Sequence, residues 1–314
     1  MSVTKVKIGV IGIGYLGRFH VEKLRQINNC ELVALVESDI DTLNSLKKSF
    51  NNEIFKSYKQ LKNKVDAVSI VTPTIYHHEI AKFFLENKID VFVEKPMTST
   101  VEQAKELDKL AKKKNCILQI GHLERFNPTI IELTNHIKQP KFIEVHRLTN
   151  FRERSTDINV ILDLMIHDID IMLKILNTDI KKISAIGTKV FTKTLDIVNA
   201  RILFSNKCIA NITASRVSFK DERKIRIFQP DSYISLDMHK KKILKYKKKT
   251  KGELKGYKDI EIFEKEFKNE DPLLNELDSF VNCVANKKKP IVSAADGIRA
   301  LKVADMINEA LKEN

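Results

Sequence analysis

The chain of 314 residues has no tryptophan, only four cysteines and nine glycines, and no apolar run long enough to cross a membrane. Each scarcity closes off a class of protein. Cys30, Cys116, Cys208 and Cys283 stand far apart and form no C-x-x-C pair, which argues for reduced thiols and against a disulfide framework or a zinc site. The first residues lead straight into a strand, without the charged-then-apolar pattern of a secretory signal. No membrane span and a cytoplasmic location are therefore expected. Acidic residues are in deficit, 41 against 55 basic ones, for a formal net charge of +14. Lysine supplies 44 of those 55 and is scattered through the chain. Neither a helix-turn-helix nor an aromatic–basic pattern accompanies the charge, so no nucleic-acid partner is expected. The densest run, Lys240–Lys251, reads as a solvated hairpin or edge strand whose lysines guard it from aggregation. A basic surface suits an anionic substrate.

Three of the few glycines stand together. Apolar Val6, Ile8, Val10 and Ile11 read as a buried strand that runs into Gly12-Ile-Gly14-Tyr15-Leu16-Gly17, after which Arg18–Asn28 reads as an amphipathic helix. G-x-G-x-x-G at a strand-to-helix junction lets a backbone approach a pyrophosphate. Gly12 permits the tight turn, Gly14 removes the side chain that would block the phosphates, and Gly17 lets helix and strand pack closely. The helix start adds unpaired N–H groups and a positive dipole end. Twenty residues past Gly17, a second apolar run ends in Glu37. A carboxylate there can take both hydroxyls of an adenosine ribose and would repel a 2′-phosphate, which favours NAD. Ser38 beside it keeps NADP open as an alternative.

Strand and helix alternate through the first third, with strands at Leu32–Glu37, Val65–Val71, Val91–Val93 and Ile117–Ile120. Asp41 is expected to cap a helix to Phe50, His77 to open one to Asn87, and Ser99 or Thr100 to cap one to Lys114. This order specifies a doubly wound parallel sheet over residues 1–121. Beyond Gly121 the pattern changes. A helix over Ile158–Leu176 is followed by closely spaced strands, which specifies an α+β domain over 122–314 with a mostly antiparallel sheet. Asp271-Pro272 opens a further helix, and a closing helix from Ser293 to Leu311 is free to pack back on the first domain. The fold class is thus α/β with a second, α+β domain.

Chemistry-bearing residues gather at predictable places. Thr72-Pro73 and Glu94-Lys95-Pro96 both fall at the carboxyl ends of parallel strands, the edge where ligands bind. A lysine there can hydrogen-bond a substrate hydroxyl and stabilise an alkoxide as hydride leaves; as a surface cation it would do neither. Glu94 can position a ribose or pair with a neighbour. Asp163 and His167 lie four apart, on one face of an apolar helix. A histidine there can accept an alcohol proton, with Asp163 setting its tautomer, or can be a satisfied core histidine. No further His or Cys cluster joins the pair to hold a metal. Around the domain junction, Glu124, Arg125 and Asn127 are candidates to meet substrate, with Arg152 and Arg154 contributing similar forked cations. Asn127 before Pro128 also reads as a helix cap.

Taken together, Gly12–Gly17, Thr72-Pro73, His77, Glu94-Lys95-Pro96, the D-x-x-x-H of Asp163 and His167, and the Ser293–Leu311 segment resemble the Gfo/Idh/MocA oxidoreductases. The resemblance implies an N-terminal Rossmann domain and a C-terminal domain with an open-faced sheet. A homodimer or homotetramer joined through that sheet is implied as well. It also implies a catalytic set of Lys95, Asp163 and His167, with His77 among the cofactor-binding residues. Gly121–Pro128 and Leu162–Asp170 resemble the UDP-N-acetylglucosamine 3-dehydrogenase branch, as does Ser155–Val160 in place of a glycine-rich lead. That branch implies NAD-dependent oxidation of a nucleotide-sugar C3 hydroxyl, followed by a partner aminotransferase that feeds lipid A or surface glycans. A dehydrogenase for a UDP-uronic acid, inositol or another cyclic polyol is the alternative within the class, and a nucleotide-binding regulator the alternative outside it.

Overall fold

The computed structural model describes residues 5–49, 53–151, 158–250, 252–254 and 256–312. The chain divides into two compact units, Met1–Leu123 with Asp271–Leu301, and Glu124–Glu270 with Lys302–Asn314. In the first, β1 (Val6–Ile11), α1 (Tyr15–Leu24), β2 (Cys30–Val36), α2 (Ile40–Ser49), β3 (Glu53–Phe55) and β4 (Ala67–Ile70) follow in turn. They continue as α3 (His77–Glu86), β5 (Asp90–Glu94), α4 (Val101–Lys114) and β6 (Leu118–Gly121). The sheet order is β3-β2-β1-β4-β5-β6, with every neighbouring pair parallel. Chain order reverses between β1 and β4, so the carboxyl ends of those two strands flank the crevice where a doubly wound sheet binds its ligand.

Two local expectations change. The half-exposed three-residue β3 has too little apolar patterning to be seen in sequence. The carboxylate that caps α2 belongs to Asp39, whose Oδ2 accepts the Thr42 N–H at 2.8 Å, and not to Asp41, which lies one residue inside the helix. Thr100 does cap α4, accepting the Gln103 N–H at 3.2 Å.

The second unit holds α5 (Pro128–Leu133), β7 (Phe142–Leu148), a π-helical turn at Ile161–Met165 and α6 (Ile166–Leu176). Strands β8 (Ile180–Thr188), β9 (Ile197–Phe204), β10 (Ile209–Ser215), β11 (Glu222–Gln229), β12 (Ser232–Asp237), β13 (Lys242–Lys248) and β14 (Ile260–Glu266) complete it. Their order is β14-β13-β12-β11-β7-β10-β9-β8, antiparallel throughout except at β7–β10. Along β7 the pleat buries Ile143, Val145 and Arg147 and leaves Phe142, Glu144, His146 and Leu148 half-buried on the opposite face. The lysine run forms a hairpin turn and β13, but β13 is not the edge. The acidic β14 covers it, with Lys242 Nζ 2.5 Å from Glu264 and Lys247 Nζ 4.0 Å from Glu261, so complementary charge sets that pairing. Lys251 lies outside the described residues.

Helices α7 (Pro272–Asn286) and α8 (Ala294–Ala310) close the chain. Asp271 caps α7 by accepting the N–H groups of Leu273 and Leu274, each at 3.1 Å. The expected boundary of 122–314 needs correcting here, because Asp271–Leu301 clusters with the first unit. The cause is hydrophobic: Leu277, Phe280, Val281 and Val284 of α7 are buried in one cluster with Val6, Ile8, Leu24 and Phe92.

In the second unit, Asp196 is wholly buried and organises the turn before β9. Its Oδ2 accepts the N–H groups of Val190, Phe191 and Thr192 at 2.8, 2.7 and 2.9 Å, and its Oδ1 accepts the Thr192 hydroxyl at 2.7 Å. Burial alone would raise this carboxyl, yet the hydrogen bonds outweigh it and hold the pKa down to about 2. A depressed carboxyl pKa stabilises the fold above the ordinary value of 3.8, and that contribution is lost as pH falls through about 2. Asp196→Asn should therefore cost about 2 kcal/mol at neutral pH, and much less when urea denaturation is repeated near the lower end of that window.

Candidate functional site

The three glycines of the turn answer to different demands. At Gly12 the backbone has φ +86°, and an added Cβ would lie 2.8 Å from the Val71 carbonyl oxygen. At Gly17 an added Cβ would lie 1.9 Å from the Gly12 carbonyl oxygen, so helix and turn can meet only there. Both are required by the protein itself. At Gly14, the N-cap of α1, a Cβ would meet nothing within 4 Å. Its missing side chain opens space in front of a helix start, as an approaching pyrophosphate requires. Tyr15 and Leu16, beside it, are exposed. Thr72, against the same turn, has a buried hydroxyl with no hydrogen-bond partner in the protein, a group that a ligand oxygen would satisfy. These residues fit a dinucleotide.

Glu37 stands at the end of β2, half-buried. Its Oε2 accepts the Ile13 N–H from the glycine turn at 2.8 Å, and its Oε1 accepts the Ser38 and Asp39 N–H groups at 2.7 and 3.0 Å. The carboxylate is thus a brace of the turn as well as a negative charge fixed beside it. At the end of β5, Glu94 is buried, and half-exposed Lys95 follows it. Glu94 Oε2 accepts the Lys95 N–H at 3.1 Å, and Oε1 lies 3.2 Å from Nε2 of the wholly buried His20. That contact is close enough for an ion pair, although the ring N–H is not aimed along it. His77, at the start of α3, turns both ring nitrogens to backbone carbonyls, Nδ1 to Pro96 at 2.9 Å and Nε2 to Thr72 at 2.8 Å. Burial pushes its pKa down, partly opposed by those two carbonyls.

Asp163 and His167 occupy an unusual backbone. Ile166 N–H donates to the Ile161 carbonyl, five residues back, so a π-turn carrying Asp163 runs into α6 carrying His167. The long regular helix expected over Ile158–Leu176 is interrupted there; such turns recur at functional sites. Both side chains are half-buried. The first two turns of α6 are tied down by two bidentate pairs. Arg147 donates to Asp168 through Nε at 2.7 Å and Nη2 at 2.9 Å, and Arg125 to Asp170 through Nε at 2.5 Å and Nη2 at 2.8 Å. Glu124 completes the cluster, accepting from Arg147 Nη1 at 3.0 Å, with Arg223 3.6 Å away. Burial would raise the Glu124 carboxyl, but the two guanidiniums outweigh it and hold it below the usual range. Burial and the Arg147 charge lower the Arg223 pKa in turn.

The structure therefore commits the charged ends of Glu124 and Arg125 to pairs inside the second unit. Asn127 caps α5 by accepting the Thr129 N–H at 3.1 Å and donates to Glu124 at 3.1 Å. Arg152, Arg154 and Ser155–Asp157 lie outside the described residues. Sequence reasoning missed His20 and Arg147, though each carried a signal. His20 shares the core face of α1 with Val21 and Leu24, and Arg147 follows Ile143 and Val145 at the buried parity of β7. Among the described residues no group of three His, Cys, Asp or Glu is placed to hold a metal, and no helix is long and apolar enough to cross a membrane.

A parallel sheet with a glycine turn at its switch point, an open helix start and a lysine at the adjoining strand end defines a nicotinamide-dependent dehydrogenase. The chain belongs to the Gfo/Idh/MocA oxidoreductases. Residues 6–122 match the family model for the NAD-binding Rossmann fold, and residues 129–231 match that of the GFO/IDH/MocA C-terminal domain. It is 32% identical over 308 residues to a UDP-N-acetylglucosamine 3-dehydrogenase of Acidithiobacillus ferrooxidans, covering 98% of this chain and 97% of that one. A myo-inositol 2-dehydrogenase of Thermotoga maritima is 25% identical across 98% and 97% of the two chains. A solved structure of the Acidithiobacillus enzyme superposes with a TM-score of 0.91 over 98% of each chain, at 31% identity. The fold is shared with the scyllo-inositol dehydrogenase of Lactobacillus casei, solved with NAD(H) and scyllo-inositol, at TM-score 0.83 and 21% identity over 99% and 98% of the chains.

Breaking the buried cluster should unfold the second unit before it alters anything subtler. Arg147→Met leaves Asp168 and Glu124 buried without their main cation and should cost about 3–5 kcal/mol. Arg147→Met combined with Asp168→Leu should recover part of that loss, as urea denaturation of the two variants would show.

Proposed function

We propose that this enzyme oxidises the C3 hydroxyl of UDP-N-acetylglucosamine to the 3-keto nucleotide sugar with NAD as hydride acceptor. The observation that carries this reading is end-to-end likeness to an enzyme named for that reaction, at 32% identity over 98% of this chain. In the proposal, His167 accepts the hydroxyl proton, Asp163 orients His167, and Lys95 stabilises the oxyanion that develops as hydride departs. Glu124, Arg125 and Asn127 serve the substrate indirectly, by holding the first turns of α5 and α6. The fixed charge of Glu37 supports NAD over NADP. The ketone is a substrate for a partner 3-aminotransferase, in a route to lipid A or another surface glycan. We place the reaction in the cytoplasm. Oxidation of a cyclitol is the second reading, favoured by the likeness to a myo-inositol 2-dehydrogenase across 98% of the chain. A regulator without chemistry would have no use for Lys95, Asp163 and His167 together.

The test is NADH production from UDP-N-acetylglucosamine, with a glutamate-dependent 3-aminotransferase present to draw off the ketone and NMR to place the carbonyl. Turnover with NAD exceeding that with NADP is expected. Silence there with turnover on inositols or UDP-uronic acids would overturn the substrate and keep the class. Lys95→Ala should lower kcat by about 10²–10³ at nearly unchanged NAD affinity, whereas equal loss of both would make the lysine structural.

Assembly as a homodimer or homotetramer through the sheet of the second unit is part of the same proposal. One register row on its open face runs Ile209, Phe142, Phe228, Tyr233, Tyr246, Ile262 across six strands. Successive ring centroids from Phe142 to Tyr246 are 5.7, 5.2 and 6.1 Å apart. A contiguous apolar row of this kind supports an interface. Phe228→Asp should convert the assembly to monomer in light scattering after gel filtration.

A further inference from the structure

Two buried histidines of the first unit meet the Glu94-Lys95-Pro96 segment from opposite sides. Upstream, His20 is fully buried, with Nδ1 2.9 Å from the Ser69 hydroxyl and Nε2 3.2 Å from Glu94 Oε1. The other oxygen of Glu94 accepts the N–H of Lys95 itself at 3.1 Å. The Glu94 carboxyl packs against Gly121, where an added Cβ would lie 2.8–2.9 Å from its atoms, so glycine at that position leaves space for the carboxylate. Downstream, the buried His77 bridges the Pro96 carbonyl at 2.9 Å and the Thr72 carbonyl at 2.8 Å. Thr72 packs on the glycine turn, its Cγ2 3.0 Å from where a Gly12 Cβ would stand.

A lysine side chain is long and freely rotating, so its aim depends on the main chain that carries it. Here the Lys95 N–H is held by the Glu94 carboxylate that His20 packs against, and the carbonyl of Pro96, one residue beyond the lysine, faces His77. One rigid ring sets its two nitrogens against two separate backbone carbonyls; it donates to one of them when neutral, the form that burial favours, and to both only as the imidazolium. Neither ring is directed at a ligand: both nitrogens of His77 are within hydrogen-bond distance of protein carbonyls.

We infer that His20 and His77 are positioning residues for Lys95, and that His77 also links the lysine segment to Thr72 at the dinucleotide turn. The inference rests on the reading of Lys95 as the catalytic lysine. It assigns the two nitrogens of His77 different work: Nδ1 holds the lysine segment, and Nε2 holds the cofactor turn.

Amide substitutions separate the two, since the Asn amide nitrogen falls near Nδ1 of a histidine and the Gln amide nitrogen near Nε2. His77→Asn keeps the Pro96 contact and releases Thr72; it should raise the KM for NAD more than it lowers kcat. His77→Gln keeps Thr72 and releases Pro96; it should lower kcat by about 10- to 100-fold, the scale of a reacting group displaced by about 1 Å, with a KM for NAD close to wild type. At His20, Gln retains the reach to Glu94 and Asn does not, so kcat should fall further in His20→Asn than in His20→Gln. Ser69→Ala, a small change that removes only the hydroxyl beside His20, should give a milder loss of kcat with a small drop in thermal stability from the buried ring nitrogen left unpaired. Losses of kcat, NAD affinity and thermal stability that are the same for Asn and Gln at each site would overturn the inference, leaving both histidines as core residues. A readout independent of turnover separates this outcome from failure of the catalytic reading. Acylation of Lys95 by an N-hydroxysuccinimide ester, followed by peptide mass spectrometry, should change in rate in His77→Gln and not in His77→Asn. Should Lys95→Ala keep full turnover, the catalytic reading falls while the labelling contrast still decides whether the clamp exists; equal labelling in the two variants would overturn it.

Discussion

Everything in the first unit depends on one backbone contact, the approach of α1 to the end of β1. With any side chain at position 17, a Cβ would stand 1.9 Å from the Gly12 carbonyl oxygen, a separation no packing adjustment absorbs. Glycine there lets the helix begin immediately beyond the strand, which directs its unpaired N–H groups over the sheet's carboxyl edge. Gly12 allows the turn to be this tight, since its φ of +86° and the nearby Val71 carbonyl both exclude a side chain. Once helix and turn are fixed, the space in front of Gly14 follows as a consequence, and so does the place where Glu37 reaches the Ile13 N–H. The dinucleotide site is therefore less a pocket carved into the fold than the shape the strand-to-helix junction must take.

The second unit rests on a different constraint, the cost of burying charge. Arg147 and Asp168 have been removed from water entirely, and such a pair holds only where every donor and lone pair is met. The bidentate fork to Asp168 and the third contact to Glu124 give Arg147 three charge-assisted hydrogen bonds against that cost. Hydrophobic contacts alone would let a helix slide or rotate over the sheet by small amounts. Two forked pairs on the first two turns of α6 fix its register, and with it the position of His167 one residue before Asp168. The π-turn ahead of α6 is compatible with this arrangement, since it places an extra residue in the turn that carries Asp163 while the anchored turn stays where it is.

The parts of this architecture legible in the sequence were those that obey local rules. Period-two and buried apolar runs marked the parallel strands, and the three glycines marked the turn, because each reflects a steric demand within a few residues. Strand-end position picked out Lys95 and helical spacing picked out Asp163 with His167, and the family resemblance joined the three as a catalytic set. The remainder depended on long-range partners. Glu124 and Arg125 look like surface charges at a junction until Arg147 and Asp170, far along the chain, are seen to neutralise them. The return of Asp271–Leu301 to the first unit follows from which apolar cluster its helix completes, and an amphipathic stripe does not name its partner. Asp39 took the cap expected of Asp41 because a helix start can shift by two residues when either carboxylate would serve.

Histidines show the same limit most sharply. In sequence, His77 reads as the start of a helix, to which the family resemblance adds a cofactor contact, and His20 reads as nothing in particular. In the structure His77 grips two backbone carbonyls and His20 closes on Glu94 and Ser69. The difference lies in which groups had no other way to be satisfied. A strand that ends beneath a ligand site exposes carbonyls and a carboxylate in a place water does not reach, and each must find a partner. A ring with two nitrogens at fixed separation reaches two of them with few rotatable bonds to order, donating to one when neutral and to both as the imidazolium. Residues chosen in this way pack like core and hydrogen-bond like an active site, so a pattern-based reading has no local signal by which to separate the two. Their effect on chemistry passes through the main chain, so it is the geometry of Lys95, and not its charge, that they govern.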